Sequence, residues 1–174
     1  MGRARAGVLD GALRSVVTLG TRASTMGGIA TWGGVAKATV YNHFRNKDDV
    51  WAALLAQEID RASSVAQGAD DLTTSLRLLF DHLAQHPARA TLAEREPDVL
   101  ARLVAGAPAD SRCRDHAKVG LSGFGVDAGD TEVALVLRTA ASLLLAPGSA
   151  LERQGLAQLV ARTPVREPAA GASE

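Results

Sequence analysis

Lys37, Thr39, Tyr41, Asn42 and His43 crowd into seven residues of this chain. An ammonium, a hydroxyl, a phenol, a carboxamide and an imidazole are groups that suit phosphate oxygens and base edges. Val40 and Phe44, four apart among them, can face inward from a helix as core and leave the polar groups outside. Lys47 follows where a new helix would start, so its ammonium adds to that helix's positive end at a phosphate. A polar helix face is also what any solvated helix presents, and from composition alone that plainer reading is the favoured one.

Elsewhere the reactive residue types do not assemble. Ser, His and Asp residues are scattered without a nucleophile elbow or triad context, so no catalytic residue and no enzymatic activity are expected. His82 and His86 have the four-residue spacing that can hold a metal, but no third ligand is identifiable, and neither metal nor cofactor is expected. Cys113, between Arg112 and Arg114, offers either an acidified, oxidant-sensing thiol or an ordinary one. It has no partner for an internal disulfide, which fits a reducing compartment. The run Gly120 to Gly125 follows no strand and reads as loop rather than as a nucleotide cradle.

The elements that must position these residues are helical throughout. Leu9, Ala12, Leu13, Val16 and Val17 mark a first helix over about 8–19, closed by Gly20. Ser24 or Thr25 can cap a second over 26–32, and Gly33-Gly34-Val35 make a tight turn into a third over 36–44, a helix-turn-helix arrangement. Asn46 caps a fourth helix, whose Asp48 and Asp49 complement the helix dipole. A fifth carries Leu72, Leu76, Leu79, Phe80 and Leu83 and stops at His86-Pro87. Short helices are expected over 88–95, 97–105 and 109–119. A helix over 131–146, apolar on nearly every face, and a final amphipathic one complete the set. No segment alternates as a strand would, so the fold class is all-α.

Net charge is zero over 174 residues, which alone argues against a polyanionic partner. The distribution reverses that argument. Residues 1–50 carry seven basic against three acidic side chains, and the remaining 124 carry twelve against sixteen, a basic head on an acidic body. Trp32, Tyr41, Phe44 and Trp51 read as a small core with a polar rim rather than as a base-stacking platform. The longest strongly apolar run, 133–146, contains Arg138 and is too short to span a bilayer. With no secretory signal and no membrane partner expected, a cytoplasmic location follows.

The segment Gly34 to Phe44, continuing through Asn46-Lys47-Asp48-Asp49-Val50 to Ala53-Leu54-Leu55, resembles the DNA-binding signature of the TetR family of bacterial transcriptional regulators. Val8 to Gly20 and Thr25-Met26 to Ile29-Ala30 match it in order and spacing. The resemblance covers about 50 residues and is more specific than a lone glycine motif. It decides against the plainer reading of the polar face. It implies phosphate contacts from Thr25, Tyr41, His43 and Lys47, and base-edge contacts from Lys37, Thr39 and sometimes Asn42. Gly27-Gly28 stand where the family has better helix formers, and Trp32-Gly33 where it has Arg or Ala. A frayed second helix is therefore expected.

The resemblance also implies a helix-turn-helix domain over 1–47 and a helical effector-binding and dimerisation domain over 48–163, and the Ala-, Pro- and Gly-rich composition of 164–174 predicts a disordered tail. Its partners would be a double-stranded DNA operator, a small-molecule effector and a second copy held through 131–163. Phe80, Leu83, Leu100, Leu103, Val104 and Phe124 are the candidate effector-pocket residues, and equally good core residues. The function expected is a repressor that binds a palindromic operator as a homodimer and is released by a small apolar effector. The alternative is a ligand-binding or interaction protein whose head has decayed.

Overall fold

The computed structural model describes residues 2–162, which form ten α-helices and no strand. They are α1 (Arg3–Leu19), α2 (Met26–Gly33), α3 (Lys37–His43), α4 (Lys47–Ala66), α5 (Leu72–Ala84), α6 (Ala88–Arg95), α7 (Pro97–Gly106), α8 (Ser111–Gly123), α9 (Asp130–Leu145) and α10 (Ala150–Arg162). The tail expected over 164–174 lies outside the described residues. No described helix is long and apolar enough to cross a membrane.

Local chemistry explains most of the boundaries. Asn46, Asp71 and Asp110 each accept a hydrogen bond from the backbone N–H three residues on, capping α4, α5 and α8. Pro97 opens α7, where a missing N–H costs nothing. Gly34 closes α2 in the left-handed region at φ 62°, which glycine enters without a Cβ penalty, and its N–H reaches back to Ala30 and Thr31.

Three expectations need correction. The first helix starts at Arg3 rather than near residue 8, since Arg3 to Ala6 are good helix formers and Arg5 lies over the Phe44 ring, 5.4 Å from its centre. The run from Gly120 is not all loop, because α8 continues through Gly123 to bury Leu121 against α5 and α9. The four aromatics do not form one core: Phe44 is buried and Trp51 half-buried, but Trp32 is 42% and Tyr41 49% exposed.

Two apolar clusters organise the packing. The first joins Val8, Leu9, Ile29, Val40, Phe44, Val50 and Leu54 of the N-terminal helices to Ala88, Leu92 and Leu100 of α6 and α7. The head thus closes its core with side chains from the body. The second gathers Leu76, Phe80, Leu121, Val133, Val136 and Ala157, where α5, α8, α9 and α10 meet.

Within the head, α1 and α2 cross backbone against backbone. A Cβ on Gly11 would stand 2.4 Å from the Ile29 carbonyl oxygen, and one on Gly33 would stand 2.4 Å from the Gly7 carbonyl oxygen. Gly33 is therefore set by close approach. Gly27 is different: its Cβ would meet only Thr25 Oγ1, at 4.0 Å. The expected fraying of α2 meets a counterweight in Thr25, whose Oγ1 accepts from the Gly28 N–H at 3.0 Å. Gly27→Ala is accordingly expected to stabilise the chain by up to about 1 kcal/mol. A thermal melt shows this as a rise in Tm of a few degrees.

Candidate nucleic-acid interface and the cavity behind it

The third helix is seven residues long and owes its placement to its neighbours rather than to its own propensity. Val40 is fully buried against α1 and α2, and Phe44 just beyond it is buried too. That anchorage leaves Lys37, Tyr41, Asn42 and His43 exposed and Thr39 half-buried. Four of the five polar groups singled out in the sequence thus stand in solvent on one short helix, with the fifth partly covered.

Thr25, the N-cap of α2, and the Lys47 ammonium both lie at the end of the loop between α1 and α2. Thr25 is exposed at the start of α2, its hydroxyl oxygen engaged as the cap and its proton still available to an acceptor. Lys47 does more than point outward. Its Nζ donates to the carbonyl oxygens of Arg22 at 3.2 Å and Ser24 at 3.1 Å, so its ammonium is held at the loop between α1 and α2.

The same loop is gripped from the body by Glu96, a residue that sequence reasoning passed over. Glu96 sits between α6 and α7 and is 3% exposed. Its Oε1 accepts from the Arg22 N–H at 2.8 Å, and its Oε2 from the Thr21 N–H at 3.1 Å and from the Thr21 hydroxyl. Burial alone would raise the Glu96 pKa, but the Thr21 and Arg22 donors outweigh it and hold the carboxyl below its ordinary value. What this carboxylate contributes to stability is present above its unfolded-state pKa. It is lost only as pH falls through the lower folded value. Arg22 adds an exposed ion pair to Asp98 at 2.6 Å. Inside the loop, Ser15 Oγ meets Ser24 Oγ at 2.7 Å, and Ser24 Oγ donates to the Gly20 carbonyl at 2.6 Å.

Behind the head the body forms a half-open cavity of about 930 Å³, near the upper end of the range for small-molecule sites. Its wall is overwhelmingly apolar, drawn from every helix from α4 to α9 and from α1. Of the six predicted pocket residues, Leu83, Leu100, Leu103 and Phe124 line it. Phe80 has no exposed surface and lies in the second core cluster, and Val104 is half-buried off the wall. Trp51, Leu55 and Ile59 of α4 line it as well. Helical spacing marks these residues as apolar-facing but does not separate cavity wall from core. Thr21 also reaches the wall, so the cavity extends to the loop that Glu96 grips.

Three titratable residues of the wall, Glu58 of α4, His82 of α5 and His86 just beyond α5, stand together. Glu58 pairs with Arg61 at 2.7 Å and with His86 at 3.3 Å. Burial works against its ionised form, yet the His86 and Arg61 contacts prevail and its pKa is lowered. His82 stands beside His86 with its Nε2 buried and without a protein partner, and burial lowers its pKa toward the neutral form. Among the described residues no group of three His, Cys, Asp or Glu side chains is arranged to hold a metal ion. Cys113 lines the cavity with its pKa pushed up to about 11 by burial and by Asp110, so the acidified thiol considered for it is excluded.

The head has a helix-turn-helix arrangement whose third helix is polar and faces solvent, the geometry of a unit that lays its second helix in a major groove. Residues 8–54 match the family model of bacterial regulatory proteins, tetR family. No curated protein matches the sequence. Among solved structures the fold resembles TetR family repressor AlkX from Dietzia sp. strain DQ12-45-1b, implicated in biodegradation of n-alkanes. The TM-score is 0.67 and the identity 18%, over 90% of this chain and 92% of that one. It also resembles the fatty acid degradation regulator FadR from Bacillus halodurans, with TM-score 0.60 and 18% identity over 92% and 96% of the two chains. GusR from Salmonella enterica gives 0.60 and 18% over 90% and 91%. Residues 8–54 thus match the tetR-family model, and the chain shares the fold of these proteins at low identity.

Proposed function

We propose that this chain is a homodimeric repressor that binds a palindromic operator through α3 and is released when a small apolar effector occupies the cavity of the body. The observation that carries the reading is the orientation of α3, with Val40 locked into the core while Lys37, Tyr41, Asn42 and His43 face solvent. Lys37 and Thr39 read base edges, joined by Asn42, and Thr25, Tyr41, His43 and Lys47 hold phosphates. The reading takes 1–47 as the DNA-binding domain and 48–163 as the effector-binding and dimerisation domain. It needs no catalytic step and no cofactor, and it places the protein in the cytoplasm, where the operator is.

Dimerisation through α9 and α10 is supported by large apolar side chains on those helices that their own chain leaves exposed. Leu135 is 37%, Leu145 49% and Leu151 78% exposed. A twofold pair built on that face would set two copies of α3 about 34–36 Å apart, one turn of duplex. The size and apolar wall of the cavity support an apolar effector. AlkX and FadR, whose descriptions concern n-alkanes and fatty acids, share the fold at low identity. Such a molecule acts by binding the two conformations of the dimer unequally.

Titration of duplex DNA with the full chain at several salt concentrations tests the reading. Lys37→Ala or Thr39→Ala is expected to relax base preference at about 1–3 kcal/mol per lost contact. Lys47→Ala should weaken all sequences alike and lower the salt slope by about one. Base preference unchanged by either α3 substitution would count against the assignment.

A further inference from the structure

We infer that Glu96, although it belongs to the body, is a positioning residue for the phosphate-contacting groups of the head. It rests on the reading of Lys47 and Thr25 as phosphate contacts. A carboxylate from the joint of α6 and α7 takes the N–H groups of Thr21 and Arg22 and the Thr21 hydroxyl. Those two residues open the segment whose far side, the carbonyls of Arg22 and Ser24, holds the Lys47 ammonium. Thr25, the next residue, caps α2.

The chain of contacts is therefore continuous: Glu96 fixes the donors of a short loop, the loop's acceptors fix Lys47, and its last residue fixes the start of α2. Its rigidity has a local cause. A Cβ on Gly20 would stand 2.5 Å from Glu96 Oε1, so the loop runs directly against the carboxylate, and Gly20 takes φ 85° to do so. Three donors on one buried carboxylate make a charge-assisted cluster whose loss leaves part-buried N–H groups without an acceptor. Thr21 is also part of the cavity wall, so the wall and the Glu96 grip on the loop share a residue.

The test is salt-dependent binding of a fluorescent random-sequence duplex by the wild-type chain, Glu96→Gln, Lys47→Ala and the double variant, each checked by thermal melt. Glu96→Gln is expected to weaken binding about tenfold and to lower the salt slope by about one. Lys47→Ala on that background should add less than about twofold, because the lysine has already lost its register. An unchanged slope, or two effects that multiply, would overturn the inference, since a merely stabilising carboxylate alters neither. Should Glu96→Gln fail to fold, Thr21→Val removes one donor and carries the same expectation at smaller size. A wild-type chain that binds no duplex overturns the DNA-binding reading itself. Wild-type binding with additive variants overturns only the role of Glu96.

Discussion

Gly11→Ala is expected to abolish DNA binding by unfolding the head. The added Cβ would lie 2.4 Å from the Ile29 carbonyl oxygen, 2.5 Å from the Gly33 nitrogen and 2.7 Å from its Cα. All three are backbone atoms, so no side chain can turn aside, and α1 and α2 must separate to restore ordinary contact. Overfilling a packed site costs about 1–3 kcal/mol where side chains can shift, and the upper end or more applies where backbones meet. Val8, Leu9, Ala12 and Ile29 pack at the same crossing, so separation also admits water to the first apolar cluster. A urea melt should show a loss of about 3 kcal/mol or more. Gly27→Ala on the same helix pair is the control expected to move the other way. An unshifted melt for Gly11→Ala would mean that the two helices do not cross at these glycines.

A second large effect is expected at the opposite end of the molecule. Arg153 on α10 is 9% exposed; its Nε donates to Asp81 Oδ1 on α5 at 2.6 Å, and its Nη1 to the carbonyls of Pro147 and Gly148 at 3.0 and 2.8 Å. One guanidinium thus ties α10 to α5 and to the turn that follows α9. Removing one partner of a buried ion pair costs about 3–5 kcal/mol. Here the lower end applies, because Asp81 keeps Arg77 at 3.2 Å and a quarter of its side chain is exposed. Arg153→Met is therefore expected to destabilise the chain by about 3 kcal/mol. It should also raise the concentration needed for dimers in sedimentation, since α10 supplies half of the proposed seam. Replacing Asp81 by Leu in the same chain should return part of the loss, because the stranded charge disappears with it. Equal losses for the single and double variants would show that the carbonyl contacts, not the ion pair, carry the effect.

Legibility followed the range of the interactions. Asn46, Pro87, Gly20 and the Gly33-Gly34 turn punctuate the chain through contacts within a few residues, and the helix boundaries they mark lie close to those observed. Val40 and Phe44 could be placed inside, and Lys37 and Tyr41 outside, from helical spacing alone. Trp32 shows the limit of that argument: its type suggests core, but Gly11 and Gly33 bring α1 so close to α2 that the crossing is lined by backbone, and the indole stays at the surface. Leu121 extended α8 beyond its expected end for a similar reason, a burial decided by α5 and α9 rather than by its glycine-rich neighbours. Glu96 was the least visible residue, since its partners lie 74 and 75 positions away and no local pattern marks it. The cavity wall was half legible: Leu83 and Phe80 share a helix and a residue class, yet one faces the cavity and the other the core.

Selection of duplexes bound by the full chain from a random-sequence pool, with Lys37→Ala run in parallel, tests the central claim most directly. The wild type should enrich an inverted repeat whose half-sites lie about one helical turn apart, or a multiple of it, and Lys37→Ala should blur particular positions within each half. Recovery of no preferred sequence, or of one motif with equal sharpness from both proteins, would contradict it.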